Sequence, residues 1–133
     1  MTPRQQEDAE RLDHYMLHEG LISLMNDTKW REARSIIEDI FDSNLRFRTK
    51  DVRGAEPPPS GWWGWDFEHH MPRTYNWVEW MEINPVVRLY QQEAAQDYTE
   101  AVTKAFRAKN IPFYLVGPVI RIQGYVRTGN PVA

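Results

Sequence analysis

Apolar positions recur along this chain first at helical spacing, then at strand spacing, and then return to each in turn. Thr2 and Pro3 read as an N-cap followed by proline at the first helical position, with Gln5 completing a capping box. Ala9, Leu12, Tyr15 and Met16 continue the helical spacing, and Gly20 is a natural break. A second helix is predicted from the Asn26, Asp27, Thr28 cluster. Its Trp30, Ala33, Ile36, Ile37, Ile40 and Phe41 form one stripe, and Arg31, Glu32, Arg34, Glu38 and Asp39 face away.

The period then drops to two. Leu45, Phe47 and Thr49 alternate with Arg46, Arg48 and Lys50, as on a half-buried strand. Three consecutive prolines, 57–59, mark a loop, because proline lacks the N–H that a helix or a sheet ladder needs. Residues 61–70, GWWGWDFEHH, alternate again. Trp63, Trp65, Phe67 and His69 take one face, and Trp62, Gly64, Asp66, Glu68 and His70 take the other. Residues 75–83, YNWVEWMEI, are predicted as a third strand. A helix follows over 90–108, with Ala95, Tyr98, Val102, Ala105 and Phe106 on its apolar side. Two final strands are joined at Gly117 and Pro118. The order ααβββαββ predicts one α+β domain over residues 1–133. It has an antiparallel sheet of about five strands, helices on one face, and a loosely ordered tail over 126–133.

Composition narrows the function more than it defines it. The 133 residues contain no cysteine, which excludes disulfides, thiolate zinc sites and thiol nucleophiles, and agrees with a reducing cytoplasm. The N-terminal residues are charged where a secretory signal would be apolar, and no run is long enough to span a bilayer, so a cytoplasmic protein is expected. Net charge is −3, and residues 54–84 hold one cation, Arg73, against five carboxylates. An acidic middle repels phosphate and favours a basic protein partner, so nucleic acid and membrane are not expected ligands.

Candidate chemistry concentrates in that middle. Asp66, Glu68 and His70 would share one strand face, and carboxylate with imidazole can ligate a divalent ion. Spaced by two along a strand they reach too far for one small ion without a bulge, so a solvated face is the plainer reading and no metal or other cofactor is expected. His14 and His18 share a helix face but lack a third ligand, and His69 and His70 point to opposite sides of a strand. The cations Arg46, Arg48 and Lys50 could grip a phosphate or a carboxylate, but an exposed strand face that guards a sheet edge is the plainer reading.

One segment contradicts itself. Tyr75, Trp77, Met81 and Ile83 make an apolar face with Glu79 on it, while the opposite register buries Val78 and Trp80 and leaves Trp77 and Met81 outside. Either a carboxylate points inward or a tryptophan stands in solvent. Local rules break most often at functional positions. A tryptophan beside exposed carboxylates would be a protein-binding hot spot; under a second covering layer it would be core.

The segments TKWREAR (28–34), FRTKDV (47–52), GWWGWDFEHH, WVEWMEI (77–83) and VIRIQGYVR (119–127) resemble an uncharacterised family of small bacterial proteins, with Phe47 where that family often has tryptophan. As small, acidic, cysteine-free α+β chains they are similar to the immunity proteins that inhibit bacterial toxins. The resemblance carries no catalytic residue with it. The expected function is a non-enzymatic protein-binding domain of the immunity type, facing a basic toxin domain with Trp62, Asp66, Glu68, His70, Glu79, Trp80 and Glu82. The alternatives are a small metal-dependent enzyme or metal-binding protein using Asp66, Glu68 and His70, and a carbohydrate-binding module stacking sugars on Trp62 or Trp80.

Overall fold

The computed structural model describes residues 2–41, 45–54, 57, 61–64, 75–87 and 94–127. Helix α1 is Pro3–Glu19 and ends at Gly20, whose φ of 65° is the left-handed conformation that stops a helix. Strand β1 is Leu21–Ser23, and helix α2 is Asp27–Phe41. Asn26 caps α2 by accepting the Lys29 N–H at 2.8 Å. Strands β2 (Arg46–Asp51) and β3 (Trp63–Gly64) follow, then a 3₁₀ turn over Tyr75–Trp77 and strand β4 (Val78–Asn84). Two short strands, β5 (Val86–Val87) and β6 (Gln96–Asp97), pair with each other before helix α3 (Thr99–Ala108). Strands β7 (Phe113–Val116), β8 (Val119–Gln123) and β9 (Tyr125–Arg127) complete the described chain.

The main sheet is antiparallel in the order β3-β2-β4-β8-β7, and β1 pairs separately with β9. Helices α2 and α3 cover one face, as the alternation predicts for an α+β domain. Trp30, Ala33, Ile37 and Phe41 of α2 and Val102 and Phe106 of α3 pack on Phe47, Met81, Ile83, Ile120 and Ile122 of the sheet. A second apolar cluster, Leu12, Leu21, Val52 and Tyr125, ties α1 to the β1–β9 pair. Such a core is the main source of stability, at about 25 cal/mol for each Å² of apolar surface removed from water.

Several expectations need correction. Tyr75 and Trp77 are in the 3₁₀ turn and not in the third strand, which begins at Val78. Of the helix predicted over 90–108, residues 90–93 lie outside the described residues, and the described part is helical only from Thr99. Gln96 and Asp97 are extended, and Ala95 is exposed outside any helix. The chain stays in a strand through Arg127, so Val126 and Arg127 are not tail. The cationic strand is no edge: β2 lies between β3 and β4. Trp65, Asp66, Phe67, Glu68, His69 and His70 lie outside the described residues.

The late start of α3 has a local cause. Asp97 Oδ1 accepts from the Thr99 N–H at 2.9 Å and from the Thr99 hydroxyl. That side-chain bond, with the backbone bond second, holds the exposed Asp97 carboxyl below its ordinary pKa. A depressed carboxyl stabilises above its unfolded pKa, and the contribution fades as pH falls through the folded value. Asp97→Ala is expected to fray the first turn of α3 at neutral pH, measured as faster amide exchange at Thr99.

Candidate functional site

Strand β4 is buried on both faces, which is unusual for a strand whose sequence reads VEWMEIN. Its pairing with β2 explains how. Lys50 lies opposite Trp80 and Asp51 opposite Val78, so Glu79 is the extra residue of a bulge. The bulge shifts the alternation by one. Val78, Met81 and Ile83 all reach the helix-side core, while Glu79 and Trp80 contact the cations of the other face. The two conflicting registers are thus both used, one on each side of Glu79.

On this second face, Arg48, Glu82 and Arg121 form a row across β2, β4 and β8. Arg48 Nε donates to Glu82 Oε1 at 2.7 Å, and Arg121 Nε and Nη2 meet Glu82 Oε2 at 2.9 and 2.8 Å. Each guanidinium also stacks on an indole. Arg48 Cζ lies 4.5 Å from the Trp62 ring centroid, and Arg121 Cζ lies 4.3 Å from that of Trp80. Beside this row, Glu79 receives Lys50 Nζ at 3.2 Å and Arg127 Nε at 2.8 Å. Arg127 Nη2 donates to the Val52 carbonyl, which also takes the Tyr15 hydroxyl. Burial works to lower the Arg127 pKa, but hydrogen bonding to Glu79 and Tyr15 outweighs it and the group is held above its ordinary value.

The site residues expected to form an acidic surface are therefore placed differently. Glu82 is fully buried and Glu79 nearly so, each beneath two cations, and neither is exposed to a basic partner. Trp80 is 3% exposed in the free protein, so it is neither an exposed hot spot nor a platform for sugar stacking. Trp62 is half-buried over Arg48. Asp66, Glu68 and His70 lie outside the described residues. Arg48, Lys50, Arg121 and Arg127 are not among the expected site residues, although they pair with the two buried carboxylates of this layer.

A groove of about 410 Å³ opens on this face, lined by Trp80, Tyr114, Val116, Arg121, Gln123 and Arg127, with Glu79 at its side. One wall is β7, the last strand of the sheet, and its turn to β8 is tight. Gly117 has a φ of 58°, as the first residue of a two-residue hairpin turn requires. A larger cleft of about 580 Å³ runs between α1 and the stacked pair of Arg53 and Trp77, past His14 and His18. None of its charged lining residues is buried. Among the described residues no group of three or more His, Asp or Glu is placed to hold a metal ion. No helix among them is long and apolar enough to cross a membrane.

The fold and the site define an α+β domain with a double-sided central strand and a guanidinium-faced groove beside β7, the end strand of the sheet among the described residues. The chain belongs to DUF6678, a family of unknown function, whose model matches residues 12–129. Neither a curated protein nor a solved structure matches it.

Proposed function

We propose that this protein is a binding domain that takes an extended segment of another protein against strand β7. The observation that carries the reading is the exposure of Tyr114 (51%), Leu115 (57%) and Val116 (40%) on a terminal strand. A terminal strand presents unpaired backbone N–H and C=O groups along its free side. Proteins ordinarily blunt such edges with short strands, proline, lysine, bulges or a covering element. The β7 sequence FYLV is short but carries no charge, and its register with β8 is regular throughout. An uncharged, exposed apolar edge of this kind suits addition of a short partner strand.

Length limits what backbone pairing contributes. Pro112 and Pro118 flank the four residues of β7, and each net hydrogen bond is worth only about 0.5–1.5 kcal/mol. Side chains must add specificity, and the adjoining groove offers them a place. The toxin-inhibitor role suggested by the resemblance to immunity proteins is one case of this reading. A basic toxin domain would have to meet residues other than Glu79 and Glu82, because both carboxylates lie beneath cations.

Selection of extended heptapeptides from a displayed random library tests the reading. Bound peptides are expected to slow amide exchange in β7, and Leu115→Lys should weaken them at least tenfold while leaving the melting temperature near wild type. Peptides that bind Leu115→Lys equally well and leave β7 exchange unchanged would remove the edge from consideration. A concentration-dependent dimer of the free chain, abolished by Leu115→Lys, would make a second copy the occupant instead.

A further inference from the structure

We infer that the groove beside β7 is a carboxylate subsite, in which Arg121 holds an acidic side chain of the bound segment. The inference rests on the strand-addition reading for its partner, but its chemistry is local to the groove. Arg121 meets Glu82 through Nε and Nη2, the side-on edge of the guanidinium. Its end-on fork, Nη1 with the outer proton of Nη2, is the edge that Glu82 does not take. A planar fork of this kind matches the two oxygens of a carboxylate.

The fork is held in place before any ligand arrives. Glu82 fixes one edge, and the buried Trp80 ring lies against the guanidinium face at 4.3 Å. Little side-chain freedom remains to be lost on binding, and that loss is one of the main costs of recognition. The register places Tyr114 directly across from Arg121 and Val116 across from Val119, so Tyr114, Val116 and Arg121 share one face. A side chain from a strand paired to β7 would descend on that same face, past Tyr114, toward Arg121.

Charge sets the class of ligand. Among the described residues, two guanidiniums, Arg121 and Arg127, line the groove with one carboxylate, Glu79, and Glu82 lies beneath Arg121. Glu19 meets Arg127 at 3.6 Å. The carboxylates lie beneath, and the partly exposed guanidiniums face the groove. An arriving group therefore meets donors and a small positive excess. A monoanion matches that excess. A phosphate dianion would be repelled more strongly by Glu79 and Glu82 in this low-dielectric layer.

The test uses the full chain, ¹⁵N-labelled, with N-acetyl-glutamate methylamide, its glutamine analogue and inorganic phosphate as probes. The glutamate probe is expected to shift the Arg121 Nε–H and the Trp80 indole N–H saturably, and the glutamine analogue to bind at least tenfold more weakly. Arg121→Lys keeps the charge but loses the fork, and should also weaken the glutamate probe about tenfold. Lys104→Gln, on the exposed side of α3, should leave the probe's affinity unchanged. Equal binding of both amino-acid probes by the wild-type chain overturns the subsite, whether or not Arg121→Lys folds. Phosphate binding tighter than glutamate overturns the carboxylate assignment. Probe binding that persists when Leu115→Lys fails to disturb peptides leaves the subsite standing and the strand-addition reading fallen.

Discussion

Glu82→Ala should destabilise the protein by about 3–5 kcal/mol, read from the urea midpoint at constant slope. Glu82 is completely buried, and its two oxygens are shared between Arg48 and Arg121. Those two side chains are only 16% and 26% exposed, so removing the carboxylate leaves two like charges across a strand with little water to screen them. The loss of charge counts for more than the loss of side-chain volume. Glu82→Gln should therefore cost nearly as much as Glu82→Ala, although it preserves the shape. A change below 1 kcal/mol in both variants would mean that the row is not formed in solution.

The triple replacement Arg48→Met, Glu82→Leu, Arg121→Met separates stability from use. Replacing a whole buried ionic row with apolar residues is often neutral or stabilising, because no charge has to be desolvated. If the triple variant is as stable as wild type, hydrophobic residues would have served the fold equally well. The charged row then needs another reason, and the groove over Arg121 offers one.

Much of the fold was legible because each element obeys a local rule. The stripe from Trp30 to Phe41 gave α2, and the alternation of Leu45, Phe47 and Thr49 gave the buried face of β2. The bulge was not legible. Periodicity in VEWMEI shows that two registers compete, but only the cross-strand pairing shows the chain using both. The candidate site was misread for a related reason. Counting charge along residues 54–84 treated Glu79 and Glu82 as surface, although their partners come from β2, β8 and β9, which are distant in sequence. A signal was present nonetheless. The polar sides of RFRTK, WMEI and VIRIQ carry cation, anion and cation, the complementary pattern that three adjacent antiparallel strands would need.

Gly124 is where the bulge can be tested most directly. It joins β8 to β9, donates its N–H to the Glu79 carbonyl at 2.8 Å, and accepts the Leu24 N–H at 2.8 Å. A Cβ at this position would lie 2.3 Å from the Val78 carbonyl oxygen, and 3.1 Å from both the Glu79 oxygen and the Trp30 ring. The nearest obstacle is backbone on the central strand, which no rotamer change can move aside. Gly124→Ala must therefore push β8 and β9 away from β4, stretching both hydrogen bonds and disturbing the contact with Trp30. Overpacking in a core typically costs about 1–3 kcal/mol, and this clash, with backbone on both sides, should reach about 3 or more. Gly117→Ala is the control. Its Cβ meets nothing within 4 Å, so only the left-handed φ is penalised, by about 1–2 kcal/mol. If Gly124→Ala proves no more damaging than Gly117→Ala, the close approach at Val78 is wrong. The bulge at Glu79, and with it the placement of Trp80 and Glu82 on the groove side, would then have to be redrawn.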